Sequence, residues 1–231
     1  MRAGKLSSVA VNFAITWDGK VSTRNFTPAD FTSSRDKRRL LEIRATGDAL
    51  LVAHGTLAKD NMGMGLPDES LRRQRTRRGQ APYPLRVIIS NSGRINPKLK
   101  VFQSDFSPIV IYSTTQMPPK TRTALAGKAA LHLHAGGTVD LQEMLLHLRK
   151  VYEVKRLVCE GGPSLFRSLL AAGFVDEINL TLSPRIFGGA GAPTLTGPPG
   201  DFLPHSVSCK LMETKIVGDE CFLRYRVPRQ K

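Results

Sequence analysis

Short apolar runs alternate along the chain with segments whose apolar residues return every three or four positions. Val9–Ile15, Ala49–Ala53, Leu85–Ser90, Ile109–Tyr112, Ala130–His134, Leu157–Cys159 and Glu177–Leu182 are runs bounded by turn residues, and they predict strands. Asp18-Gly19 is a turn after the first of them, with Lys20–Thr23 continuing beyond it. Ser33 is an N-cap with Asp36 three places on, followed by Leu40, Leu41 and Ile43, so a helix is expected to run from here to near Gly47. Pro119–Gly127, with proline at its start, the amphipathic Leu141–Val151 and Ser164–Ala172 predict three more helices. Val207–Lys215 and Cys221–Val227 read as a terminal hairpin turning at Gly218-Asp219. Together these predict an α/β protein: a mostly parallel sheet with an antiparallel C-terminal hairpin, flanked by helices, as one domain over residues 1–231. Residues 62–84, rich in Gly and Arg, are expected to form a mobile loop.

Composition narrows the class. With 231 residues, 41% hydrophobic and 23% charged, the chain has enough apolar material for a core, which excludes a wholly disordered protein. No apolar stretch approaches the roughly 18 residues of a membrane span. Arg2 and Lys5 precede Val9–Trp17, but Asn12 and Thr16 interrupt that run, so a strand is expected there and not a leader. Three separated cysteines, Cys159, Cys209 and Cys221, suit neither a disulfide framework nor a zinc site, and predict a reduced, cytoplasmic protein.

The net charge of +15 points to anionic partners, either nucleic acid or phosphorylated small molecules. The densest cluster is Arg72, Arg73, Arg75, Arg77 and Arg78, and no aromatic residue is interleaved there to stack bases. Charge alone does not choose between these partners and a solvated surface.

One junction carries more chemistry than the rest. Glu160-Gly161-Gly162-Pro163 joins a strand directly to a helix; glycines admit close backbone approach, and free N–H groups at a helix start favour phosphate. A ligand-free tight turn is an equal reading of a Gly-Gly pair, but a carboxylate at the end of a buried strand needs solvent or a partner. Gly188-Gly189-Ala190-Gly191 lacks the last glycine of a dinucleotide fingerprint and reads as a flexible loop. His132 and His134 share one strand face without a third ligand at metal spacing, so no metal site is expected. Neither a G-x-S-x-G elbow nor a phosphate-binding P-loop is present.

Several stretches, in order, resemble one family. They are Asn12–Lys20, Ile43-Arg44-Ala45 with Asp48–Val52, Gly55–Asn61, Pro84–Ile89, Glu160–Leu165, and Gly173–Glu177 through Ser183–Gly188. The set is similar to the pyrimidine reductases of riboflavin biosynthesis, found as the C-terminal domain of bacterial deaminase–reductases and as separate archaeal proteins. The resemblance implies a dihydrofolate-reductase-like fold, a homodimer, NADPH as cofactor, and reduction of the ribosylamino group of a pyrimidine 5′-phosphate to ribitylamino. It places Ala14, Thr56, Asp60 and Asn91 at the cofactor, with Gly161, Gly162, Pro163, Ser164 and Leu165 in the backbone stretch at its phosphate. It places Asn12, Lys20, Thr32, Arg44, Met64 and Glu160 at the substrate, and assigns catalysis to Glu160 and Asp60.

The chain also departs from the bacterial pattern. Asn12 stands in place of Lys, Asp60-Asn61-Met62 in place of Asp-Asp-Pro, and Met64-Gly65-Leu66-Pro67 in place of Leu-Thr-Val-Arg. Arg72 or Arg73 is therefore expected to take over the substrate phosphate contact, while Asn12, Thr16 and Lys20 look more like the archaeal type, which acts before deamination. Two alternatives remain at this point: a reductase of the same fold acting on another substrate such as a pterin, and a basic nucleic-acid-binding protein, against which the Glu160–Pro163 junction speaks.

Overall fold

In chain order the elements are β1 (Ser8–Thr16), α1 (Ser34–Arg44), β2 (Ala49–Ala53), α2 (His54–Asp60), α3 (Glu69–Arg77), β3 (Leu85–Ser90), β4 (Ile109–Thr114) and α4 (Pro119–Leu125). They continue with β5 (Ala130–His134), α5 (Leu141–Val151), β6 (Arg156–Cys159), α6 (Pro163–Ala171), β7 (Val175–Ser183), β8 (Lys210–Val217) and β9 (Glu220–Arg226). The structure is a computed structural model that describes residues 6–22, 31–198, 200 and 202–228. Thr23, Arg2 and Lys5 lie outside these residues.

The residues cluster into two compact units, one made of the chain up to Ser7 with Leu41–Val158, the other of Ser8–Leu40 with the chain from Cys159 onward. In the first unit the strand order is β5-β4-β3-β2-β6. β2, β3, β4 and β5 pair in parallel, with Val52 opposite Ile88, Ile88 opposite Ile111 and Ile111 opposite Leu131. Every residue of β4 is buried, as an apolar run in a parallel sheet covered on both faces should be. Its core joins Leu50, Val52, Ile88 and Ile111 to Leu57, Val101, Met117, Leu125 and Val158.

In the second unit the order is β1-β7-β9-β8: β1 and β7 are parallel, while β9 is antiparallel to both β7 and β8. Phe13 of β1 packs against Phe166 of α6, ring centroids 5.3 Å apart. α6 buries the stripe Leu165, Phe166, Leu169 and Leu170. Mostly parallel strands, an antiparallel C-terminal hairpin and flanking helices are the class the sequence predicts.

Two helices were not anticipated. α2 has seven residues and buries Leu57 alone, too little for a period to show. α3 replaces the loop expected over 62–84. Asp68 caps it by accepting from the Leu71 amide at 2.9 Å, and Leu66 and Leu71 pack with Ala45. The buried face of α3 is completed by Arg75, 1% exposed, which donates to the carbonyls of Ala81 (2.9 Å), Ala45 (3.2 Å) and Gly47.

Candidate active site

At the end of β6 the chain passes through Glu160, Gly161 and Gly162 straight into α6. The Gly161–Gly162 peptide is cis, and Gly161 has φ +120°, a conformation a side chain resists. Both glycines are buried, and no side chain caps α6. Pro163 has no N–H to lose, while the Phe166 amide closes the first turn on the Gly162 carbonyl at 3.0 Å. What remains is the positive end of a helix approached over side-chain-free backbone, a shape and charge suited to phosphate. Ser164 is exposed beside it, and Leu165 faces the core. Burial pushes the Cys159 thiol up to about 12, so it stays protonated and inert.

In the same unit, Ala14 of β1 lies opposite Thr181 of β7, and Asn12 opposite Asn179. The turn after β1 is built around Thr16, whose hydroxyl donates to Asp18 at 2.5 Å and accepts from the Lys20 amide at 3.0 Å. Asp18 in turn accepts from the amides of Phe187 (3.2 Å) and Gly188 (2.6 Å). These bonds, the Thr16 hydroxyl first, hold its carboxyl down at about 2. Lys20 is thus fixed through its backbone, with a bridge to Thr194, and the first donor of the Gly188–Gly191 segment is already occupied. Thr32 is half-buried just ahead of α1.

The first unit gathers a second group. Because β2, β3 and β4 are parallel, Ala53, Ser90 and Thr114 end at one edge, the edge where open α/β sheets bind their ligands. α2 starts there with no linker, and Thr56 and Asp60, four apart, share a helix face. Asp60 is exposed by area, yet the protein crowded around it pushes its carboxyl up, with Lys59 pulling the other way. Asn91 follows β3: its Oδ1 accepts from the Val139 amide at 3.0 Å, and its carbonyl accepts from the Thr114 hydroxyl at 2.7 Å. Thr114, which the sequence reading passed over, therefore sets the Asn91 backbone. Only its place at the end of an all-buried strand signalled it.

Several residues expected at the substrate are engaged by the protein itself. Met64 is 1% exposed and packs in the core of the first unit, because its backbone takes a left-handed turn (φ +56°) that carries the side chain inward. Arg44 is 9% exposed and donates to the Gly65 carbonyl at 2.8 Å and toward the Met62 sulfur at 3.8 Å, bracing the segment that follows α2. The expected phosphate ligands Arg72 and Arg73 are engaged as well. Arg72 donates to the carbonyls of Leu66 (2.8 Å) and Pro67 (2.6 Å) and lies 5.2 Å over the Tyr83 ring, and Arg73 pairs with Glu69 at 2.6 Å.

His132 and His134 join a ring cluster with Tyr112, His147 and Tyr152. His147 Nδ1 is 2.8 Å from the Tyr112 hydroxyl, and His132 Nε2 is 2.9 Å from that of Tyr152. Burial, then the neighbouring His147 and His134, lowers the His132 pKa.

Comparison with known proteins supplies the family. The model of the RibD C-terminal domain matches residues 7–223. The chain is 30% identical over 220 residues to the 2,5-diamino-6-ribosylamino-4(3H)-pyrimidinone 5′-phosphate reductase of Methanothermobacter thermautotrophicus, covering 95% of this chain and 97% of that one. Among solved structures, a pyrimidine reductase-like protein from Corynebacterium diphtheriae superposes with a TM-score of 0.82 at 19% identity, covering 97% of this chain and 93% of that one. A dihydrofolate reductase from Enterococcus faecalis superposes with a TM-score of 0.51 at 14% identity, over 95% of this chain and 96% of that one, which places the fold in the dihydrofolate-reductase-like group. With the match running through both glycine-rich segments and every strand but the end of the last, the chain belongs to the RibD C-terminal domain family.

Proposed function

We propose that this protein is a riboflavin-pathway reductase that uses NADPH to convert 2,5-diamino-6-(5-phosphoribosylamino)pyrimidinone to its ribitylamino product. The observation that carries this reading is the uncapped start of α6 behind two buried glycines, which fits a cofactor phosphate. Thr56, Asp60 and Asn91, which follow β2 and β3, and Ala14 of β1 are further cofactor residues on the family resemblance alone. When bound, NADPH supplies the hydride that reduces C1′ of the sugar.

The chain's own part is binding and proton management. Glu160 holds amino groups of the pyrimidine or moves a proton, and Asp60, its carboxyl raised by crowding, retains a proton closer to neutrality than an ordinary aspartate. Asn12, Lys20 and Thr32 complete the substrate side. The diamino substrate is favoured over its deaminated counterpart because the archaeal relatives carry that name and because Asn12, Thr16 and Lys20 follow the archaeal pattern.

No helix among the described residues is long and apolar enough to cross a membrane, and a cytoplasmic location belongs to the same reading. A homodimer does too. β8 is an edge strand exposed at every position but Val217, with Leu211, Met212 and Ile216 from 45% to 73% exposed, a surface that ordinarily meets a partner.

The test is NADPH oxidation by the purified protein, offered the diaminopyrimidinone and aminouracil ribosylamino phosphates separately. Faster turnover of the diamino compound is expected. Preference for the aminouracil moves the enzyme to the step after deamination, and binding of NADPH with turnover of neither overturns the substrate assignment.

A further inference from the structure

The exit of β3 in the first unit is fastened at consecutive residues, and the fastening decides what Asn91 can offer a ligand. The Ser113 hydroxyl donates to the Ser90 carbonyl at 2.6 Å, and the Thr114 hydroxyl donates to the Asn91 carbonyl at 2.7 Å. Both hydroxyls come from buried residues at the end of β4. The Thr114 oxygen also accepts from the Gln116 amide at 3.2 Å, so this hydroxyl is engaged as donor and as acceptor. The Gly93 amide returns to the Ser90 hydroxyl at 3.2 Å. Gly93 is buried at φ +62°, and a Cβ there would lie 2.5 Å from the Cβ of Met117, so the turn is closed down on that side chain.

The Val139 amide, just ahead of the Asp140 cap of α5, reaches the Asn91 side chain at 3.0 Å. A backbone amide only donates, so the atom facing Val139 is Oδ1 and not Nδ2. That contact sets the flip of the carboxamide and leaves its two Nδ2 protons over. No acceptor among the described residues takes them. Asn91 is exposed at the C-terminal edge of parallel β2, β3 and β4, where open α/β sheets hold ligands. A turn that served the fold alone would need only an acceptor for Val139. An aspartate supplies that equally well, and asparagine differs from it only at the atom Val139 does not touch.

We propose that Asn91 meets the cofactor as a donor only: Thr114 and the Val139 amide hold its carboxamide so that the Nδ2 protons go to an oxygen acceptor of the dinucleotide, a phosphate or ribose oxygen. The inference rests on the reading that a nicotinamide dinucleotide binds at this edge. Thr114, fully buried, acts through the Asn91 backbone and is a positioning residue. An amino group of the base is rejected at this point, because two N–H groups would be set against each other.

The test is calorimetric titration of NADPH and of NADH into the wild-type protein and its variants, with Tm measured on each. Asn91→Asp keeps the acceptor for Val139 and turns the other side from donor to anion. It is expected to leave Tm close to wild type and to raise the Kd for NADPH by about tenfold or more, the scale of a hydrogen bond lost and a repulsion gained. Thr114→Val should raise that Kd about threefold to tenfold, and Thr114→Ser, which keeps the hydroxyl, should restore it. In an Asn91→Ala background Thr114→Val should cost no further affinity, whereas a general loosening of the edge would cost it in both backgrounds. A loss confined to NADPH assigns the accepting oxygen to the 2′-phosphate, and an equal loss with NADH assigns it to the ribose or pyrophosphate that both carry. Unchanged or tighter NADPH binding by Asn91→Asp overturns the proposal, as does a Thr114→Val loss repeated in the alanine background. Where Asn91→Asp unfolds or lowers Tm, the Thr114 cycle decides alone. Failure of the wild-type protein to bind either dinucleotide is a separate outcome, which removes the parent reading and this inference with it.

Discussion

The starts of α3 and α6 both read as anion sites, for opposite reasons. α3 lies in the most basic stretch of the chain, whereas the first turn of α6 holds no charged residue. Four of the arginines in this stretch are engaged by the protein itself: Arg75 is buried against three carbonyls, Arg78 donates to the Ala45 carbonyl at 2.6 Å, Arg72 to those of Leu66 and Pro67, and Arg73 pairs with Glu69 at the surface. The N-terminus of α3 is filled by the chain's own Asp68. The first turn of α6 has neither a side-chain cap nor a charged residue, and its donors are backbone amides behind glycine. Asp18, held by the amides of Phe187 and Gly188, shows within the same unit what such donors do for a carboxylate. Basic side chains here brace loops, and the uncapped backbone of α6 is where the phosphate is proposed to bind.

Four experiments sharpen or break that contrast. The largest effect is expected from Arg75→Leu, which strands three carbonyls that the guanidinium satisfies. A stability loss of about 3–5 kcal/mol in urea unfolding is expected, with NADPH affinity kept in the fraction that folds. Gly161→Ala forces a side chain onto a left-handed φ at a strain of about 1–3 kcal/mol, and it should also weaken NADPH binding about tenfold or more. Unchanged binding in a fluorescence titration would break the contrast at its open end. Asp68→Ala removes the cap of α3 and should lower stability by about 1 kcal/mol without touching NADPH affinity. Smallest of all, the Arg72→Ala, Arg73→Ala double variant should leave the substrate KM within about twofold, since Arg73 sits in an exposed ion pair. A large rise would return these arginines to the substrate phosphate.

Acid unfolding tests the internal analogue. A carboxyl whose pKa is lowered on folding contributes stability that is present above its unfolded value of 3.8 and is lost as pH falls through the folded value of about 2. Asp18→Asn should remove that acid limb from a pH series of Tm measurements and leave the curve above pH 5 parallel to wild type.

How legible this was in the sequence depended on where the partners lie. β2, β3 and β5 were found with their observed bounds because an apolar run between turns is a local signal, and Ser33 was found as a cap for the same reason. Arg75 was not, because its burial depends on the carbonyls of Ala45 and Gly47, far back along the chain, and a buried guanidinium looks like a surface one until those partners are placed. α3 did leave a trace in Asp68 ahead of it and Gly79, at φ +75°, behind it. In the ring cluster, the alternation of His132 and His134 was visible, while Tyr112, His147 and Tyr152, which meet them from β4 and α5 and just beyond it, were not. The site residues were named by family resemblance. Physical reading alone reached only the Gly161-Gly162 junction, since a helix start without a cap is a property of the backbone and the rest are side chains of ordinary type.

The turn after β1 has an optical consequence. Trp17 is the sole tryptophan of the chain and is 70% exposed, its amide donating to the Arg185 carbonyl at 2.9 Å beside the Asp18 anchor. All indole emission therefore comes from one point in a turn that hydrogen bonds hold in place. Reduced nicotinamide absorbs where indole emits, so a dinucleotide arriving within energy-transfer range quenches that single emitter, and the unlabelled protein carries its own binding assay.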